Sequence, residues 1–592
     1  MSDLSRRGPS RSVTPAKPRL DDDGKKEKRG AAAVPPRPTP TTPSAPSSPS
    51  KFDSLVNGEW TFTVPFLGVT TSEFYLPVLV LLVALFTRLY KLDEPPGVVF
   101  DESHFGRFTN QYTARTYFFD IHPPLGKLVF WLMGRLVGYN HPPGLNPAER
   151  DFLSLPSDCR YEHISEQYHP ECKYVWLRLV SALHSSVTVL LLFLIGRRWT
   201  RSPKTADGVP AGVSSGAWGG LLSAGLLLFD MLNHIEGRLV LMDVQLVFWC
   251  TASLYIAMCW WDRLNESAEA QDREADGVPL SNGTRPMDVR ERMLWAIGLG
   301  VACGNAFSVK MTGLATPAII GLETALGIWF LKRPARWLDM IVVLVSALTV
   351  YSAYFALHFH LLTRHGDGDS DFMNLAFQKT IKENPNYDPT AVWEGFWYTM
   401  VTLNIRMVVH NANILEPHPW QSKWHEWVFN LRGVSYYGKD LPGTYTAHMY
   451  LIGNHFIHWA VIVGLVTFAG MALLYLRYSR FPEFHALRDC AVTTRFFAQT
   501  SFCLAVYILN LAPYMGVARS TFIYHYMPAL VYGELIVARV LEQLAGPKSA
   551  ATMTKLFLAF IGLYWAYYTP WIYGAALTND GHERRRLVPR WN

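Results

Sequence analysis

From about residue 74 onward, this chain repeatedly returns to segments of about 20 mostly apolar residues, the length needed to cross the hydrocarbon core of a bilayer. They are expected near 74–91, 175–197, 214–232, 239–261, 293–311, 313–331, 338–358, 456–476, 495–514, 523–543 and 554–574. Lipid offers no hydrogen-bond partner to an open backbone, so spans of this length are read as helices. Only 17% of the residues are charged, against about 25% in an ordinary soluble domain. The predicted fold class is therefore all-α integral membrane, a polytopic bundle of about eleven transmembrane helices. The shorter apolar run Leu128 to Tyr139 follows a His-Pro-Pro-Leu turn and is expected to be a re-entrant or interfacial helix.

Between the spans, composition divides the chain. Residues 1–60 are rich in Pro, Ser, Arg and Lys and are expected to form a disordered cytosolic tail. An N-terminal transmembrane module at 74–358 carries a large loop at 92–174. A second large loop at 359–455, a C-terminal module at 456–574 and a tail at 575–592 follow. No secretory signal is legible ahead of Phe74, so the first span is expected to act as an uncleaved anchor. The net charge of +6 is small for this length and points to no nucleic-acid partner.

Short basic loops set the orientation. Arg197, Arg198, Arg201 and Lys204, then Lys332, Arg333 and Arg336, then Arg477 and Arg480 fall on one side if every span crosses, and that side is expected to be cytosolic. Loops 92–174 and 359–455 then face the lumen or exterior. Arg584, Arg585 and Arg586 in the tail oppose this scheme; upstream helices are expected to override them. The sequons at Asn265 and Asn282 fall on the cytosolic side and should carry no glycan. Seven cysteines do not make a disulfide scaffold; Cys159 and Cys172 share the first loop and are either bridged or two free thiols.

The chemistry concentrates in Val98-Val99-Phe100-Asp101-Glu102-Ser103-His104-Phe105-Gly106 and in Phe118-Phe119-Asp120-Ile121-His122-Pro123-Pro124. Ionisable groups clustered at a membrane exit are costly unless they bind or react. Adjacent carboxylates can divide the roles of proton acceptor and electrostatic partner. A solvated loop is the bland alternative. No Cys/His spacing suggests a metal site, and no cofactor is expected.

The first of these stretches resembles the first lumenal loop of the protein O-mannosyltransferases. Further likenesses fall at Arg88, at Arg178 within Val175-Trp176-Leu177-Arg178, at Arg238 to Asp243, and at Ser308-Val309-Lys310. Glu416-Pro417-His418-Pro419-Trp420-Gln421-Ser422-Lys423 resembles the His-Pro-x-Gln-Ser-Lys segment of shorter, bacterial-type members. Arg519-Ser520-Thr521-Phe522-Ile523-Tyr524-His525-Tyr526-Met527-Pro528 resembles the family's Tyr-His-Tyr-x-Pro entry to a late span.

The resemblance implies a GT-C type bundle that moves mannose, with inversion, from dolichyl-phosphate-mannose to Ser or Thr of proteins. It implies Asp101 and Glu102 as the catalytic pair, Asp101 as base and Glu102 orienting the base or acceptor, and Arg88, Arg178, Arg238, Lys310, His418 and His525 on donor phosphate or sugar. His104, His122 and Gln421 would position the acceptor or loops. For Arg88, Arg178 and Lys310, anchoring or snorkelling at the interface competes with phosphate binding, and for Asp243 a structural ion pair competes. It further implies the endoplasmic reticulum membrane with a cytosolic N-terminus (a bacterial plasma membrane being the alternative), and a homo- or heterodimer. The 359–455 loop, at 97 residues, is too short for the β-trefoil MIR module of fungal and animal members. Alternatives are a polyprenyl-phosphate-sugar transferase with a lipid or glycan acceptor and, from another class, a transporter.

Overall fold

The computed structural model describes residues 71–139, 159, 163–170, 172–200, 216–280, 285–330, 334–484 and 490–591. The expected tail at 1–60 and Arg201, Lys204, Asn282, Lys332 and Arg333 lie outside them.

Each expected span coincides with a helix. In chain order these are α1 (Thr71–Leu89), then α2 (Glu102–Ala114) and α3 (Leu125–Val137) in the first loop, then α4 (Tyr174–Thr200), α5 (Ala217–Phe229), α6 (Met231–Glu236), α7 (Asp243–Ala275), α8 (Val289–Val309), α9 (Ala315–Phe330) and α10 (Trp337–Leu361). The C-terminal half adds α11 (Phe396–Ala412), α12 (His455–Tyr478), α13 (Ala491–Leu511) and α14 (Met527–Tyr573). Eight helices among the described residues are long and apolar enough to cross a membrane, and Tyr75–Leu89 and Ala217–Phe229 are shorter apolar helices. α14 spans 47 residues, about 70 Å at 1.5 Å per residue, twice what a bilayer needs. Gly546, at φ 65° and ψ 172°, breaks it. A side chain disfavours that conformation, so glycine permits the reversal. The chain then returns: Tyr524 packs near Phe100 at one end, and Tyr573 meets Tyr90 after α1 at the other.

α8 and α10 pack closely because Gly304 offers no side chain; a Cβ there would lie 2.7 Å from the carbonyl oxygen of Ala347. Small residues permit this approach between helices where lipid supplies no hydrophobic drive.

The loops carry structure that apolar periodicity did not announce. β1 (Thr116–Phe118) pairs in parallel with β2 (Arg364–Asp367), joining the two large loops. β3 (Val434–Asp440), β4 (Tyr445–Leu451) and β5 (Ala576–Thr578) form an antiparallel sheet. Because β5 belongs to the C-terminal tail, that tail lies on the same face as the 359–455 loop. Arg584 and Arg586 pair with Asp580 and Glu583, which dilutes their charge. Cys159 and Cys172 are joined as a disulfide. Asn265 lies on α7; glycosidase treatment of the purified protein is expected to shift no mass at this sequon, and a glycan there would reverse the orientation.

Candidate functional site

At the start of α2 the chain makes an unusual turn. Phe100 has φ 45°, rare for a bulky residue. Its ring stacks on Tyr436 of β3 at 4.5 Å and packs edge-on against Phe522, Tyr524 and His418. This aromatic clamp fixes Asp101, the N-cap of α2. Successive residues of a helix point about 100° apart, so Asp101 and Glu102 meet different surroundings.

Asp101 lines a cavity of about 470 Å³ together with His104, Arg107, His122, Lys310, His418, Arg519 and His525. Burial pushes its carboxyl up to about 6, while His104 and Lys310 pull the other way. Lys310, at the end of α8, donates to both carboxylate oxygens of Asp243 at 2.8 Å, the ion pair named as the alternative for Asp243. Its ammonium also lies 5.5 Å from the Tyr524 ring centroid. Lys127 pairs with Asp120 and donates to the His122 carbonyl at 2.6 Å, which holds the turn carrying His122. Burial, then Lys310, Lys127 and Arg519, keeps the His122 imidazole well below its usual range, hence neutral. His418 is lowered by burial and takes the Trp420 backbone N–H on Nδ1 at 3.1 Å. The His525 ring lies parallel to that of Trp427.

Glu102 turns the other way. Its carboxylate accepts from Arg178 Nε at 2.8 Å and Nη2 at 2.9 Å, from the Val99 and Val240 backbone N–H groups, and from the Tyr168 hydroxyl. Both partners of this ion pair are fully buried. Arg178 also donates to the carbonyls of Leu92, Pro95 and Gly97. The pair therefore clamps the loop that presents Asp101; neither residue lines the cavity. Arg178, expected on phosphate, meets Glu102 and the loop carbonyls instead, and Glu102, expected to orient the base, lies behind the loop that carries it.

Arg88 and Arg238 are corrected in the same way. Arg238 donates to the carbonyls of Arg88, Tyr90 and Lys91, closing the C-terminal end of α1. Arg88 donates to those of Leu227 and Leu228 at the end of α5 and to Ser185. A cation at a helix C-terminus is favoured by its unpaired carbonyls and dipole. Gln421 also lies outside the cavity: it accepts from Ser520, beside Arg519, at 2.8 Å, the loop-positioning alternative.

Arg519 was missed as a site residue. It lines the cavity, bonds to Asn411 at the end of α11 and donates to the Ser520 carbonyl at 3.1 Å. It opens the stretch Arg519 to Pro528 that carries the family likeness, five residues before Tyr524, and its place there was the available signal. α8, α9 and α10, with Trp260 of α7, line an apolar groove of about 520 Å³ that includes Phe307, Leu314, Tyr351 and Trp337.

Residues 78–363 match the family model described as dolichyl-phosphate-mannose-protein mannosyltransferase, and residues 396–591 match the C-terminal four TMM region of protein-O-mannosyltransferase. Dolichyl-phosphate-mannose–protein mannosyltransferase 1 of Candida albicans is 28% identical over 327 residues, 54% of this chain and 31% of that protein. Protein O-mannosyl-transferase 2 of Drosophila melanogaster is 28% identical over 334 residues, 55% of this chain and 37% of that protein. The chain thus spans about a third of the length of the curated relatives it matches. The structure of the S. cerevisiae protein O-mannosyltransferase Pmt1-Pmt2 complex bound to the sugar donor aligns with a TM-score of 0.70 at 18% identity, covering 88% of this chain and 93% of that one.

Proposed function

Because this chain belongs to the protein O-mannosyltransferase family, we propose that it transfers mannose from dolichyl-phosphate-mannose to Ser or Thr hydroxyls of proteins at the lumenal membrane face. The observation that carries the reading is the single cavity holding Asp101 together with Lys310, Arg519 and His525. In it, Asp101 accepts the proton of the acceptor hydroxyl as its oxygen bonds to C1 of mannose. The C1–O bond to phosphate breaks on the opposite face, and dolichyl phosphate leaves with the electron pair. Lys310, Arg519 and His525 stabilise the charge gathering on that phosphate; such preorganised donors are commonly the largest contribution to a rate. A base with a pKa near the working pH suits this task, and Asp101 at about 6 is close to it. The apolar groove beside Phe307 and Leu314 is a path for the isoprenoid tail. Fixed cations supply the charge stabilisation, so we assign the reaction no cofactor.

We further propose the endoplasmic reticulum membrane with a cytosolic N-terminus, and a dimer, because the aligned yeast structure is of a two-protein complex. The test of the activity is labelled dolichyl-phosphate-mannose incubated with the enzyme and a Ser/Thr peptide. Labelled peptide is expected; labelled lipid or glycan with unlabelled peptide would assign the alternative acceptor. Lys310→Met is expected to raise the donor KM roughly tenfold to a hundredfold, since a hydrogen bond to a charged group contributes about 1.5–3 kcal/mol and Asp243 is left unpaired beside the phosphate.

A further inference from the structure

The 359–455 loop is too short to hold a MIR-sized module beside the cavity, which leaves the cavity mouth itself as a place where acceptors are discriminated. We propose that it favours acceptor segments bearing a carboxylate two or three residues from the reacting Ser or Thr, bound by Arg107 with His104 beside it. The inference rests on the mannosyltransferase reading above and deepens it.

Asp101, His104 and Arg107 follow one another at three-residue intervals along the start of α2, and all three line the cavity. Each three-residue step turns about 60° around the helix, so neighbours in the series touch and the three wind along the cavity wall, with Asp101 and Arg107 about 120° apart. At 1.5 Å per residue, Arg107 stands about 9 Å along the helix from Asp101. An extended peptide advances about 3.3 Å per residue, so an acceptor hydroxyl at Asp101 brings a side chain two or three positions away to Arg107. Arg107 and His104 are exposed, at the solvent side of the cavity.

The other cations of the cavity already have partners. Lys310 is held by Asp243 and Arg519 by Asn411, and both face the donor phosphate in the reading above. Arg107 makes no ion pair among the described residues; its recorded contact is the Phe108 ring, 6.0 Å from the guanidinium. Its forked donors suit a carboxylate bidentately. His104 supplies a ring N–H in either protonation state.

The test uses the full-length enzyme in nanodiscs, labelled donor, and three otherwise identical Thr peptides with Glu, Gln or Lys at the second and third positions on both sides. Transfer efficiency is expected to fall from Glu to Gln to Lys by about threefold to tenfold per step, mostly through KM. Arg107→Glu is expected to invert that order, and Arg107→Lys to preserve it. If the charge-reversal variant does not fold, the wild-type series and Arg107→Lys still decide. Measurable transfer that is equal for all three wild-type peptides would overturn the acceptor inference and leave the activity standing. Transfer to none of them, with the donor intact, would overturn the mannosyltransferase reading and the inference with it.

Discussion

Asp101→Asn is expected to slow mannose transfer by about a hundredfold to ten-thousandfold, the range general-base removal produces, while donor binding is retained or tightened. Asparagine keeps the shape of the side chain but has no basic oxygen to take the hydroxyl proton. It also removes a negative charge from the cavity shared with Lys310 and Arg519, so the anionic donor loses a repulsion. The pH profile of the wild-type enzyme supplies the second half of the prediction. Burial holds the Asp101 carboxyl at about 6, and only the ionised form accepts a proton. Transfer should therefore rise with pH through about 6 and level off above it, with the fully protonated enzyme inactive below. A well-solvated carboxylate would place that limb near 4. Single-turnover rates with saturating labelled donor, from pH 4.5 to 8, measure both. Near-normal transfer by the asparagine variant would remove Asp101 from the base role.

Glu102→Ala is expected to act on the fold. Removing one partner of a buried, hydrogen-bonded ion pair typically costs about 3–5 kcal/mol, because the other charge is left without compensation. Here the abandoned group is Arg178, fully buried beneath the loop at 92–97. The expected result is a large drop in the unfolding midpoint of detergent-solubilised protein and a poor yield of folded enzyme. Replacing both residues with methionine should recover part of the loss, since an apolar pair leaves no orphaned charge. A Glu102→Ala protein as stable as wild type but inactive in transfer would restore Glu102 to the chemistry.

These two predictions treat neighbouring carboxylates in opposite ways; the family resemblance put the base at Asp101, and residue type alone gave no physical reason for the choice. Asp101 and Glu102 have similar chemistry, and each fits an active-site role on paper. What divides them is the strained turn at Phe100 and the first residues of α2, which send one side chain into the cavity and the other toward Arg178. The arginines behaved alike. Each of Arg88, Arg178 and Arg238 stands where a phosphate ligand was plausible, yet each meets backbone carbonyls or a carboxylate first. α11 escaped notice because its apolar run is shorter than a span and interrupted by Asn404 and Arg406. β5 escaped because its partner strand, β4, lies about 130 residues earlier in the chain.

By itself, the sequence determined that this chain lives in a membrane, where its helices run, and which loops gather the chemistry. Those properties follow from local composition: an apolar run of sufficient length has no stable alternative to a helix in lipid. Only the tertiary structure decided which charged groups share a cavity and which serve as clamps. A guanidinium or ammonium binds whatever acceptor lies within about 3 Å, and here those acceptors come from residues far away in sequence, as Glu102 does for Arg178 and Asp243 for Lys310.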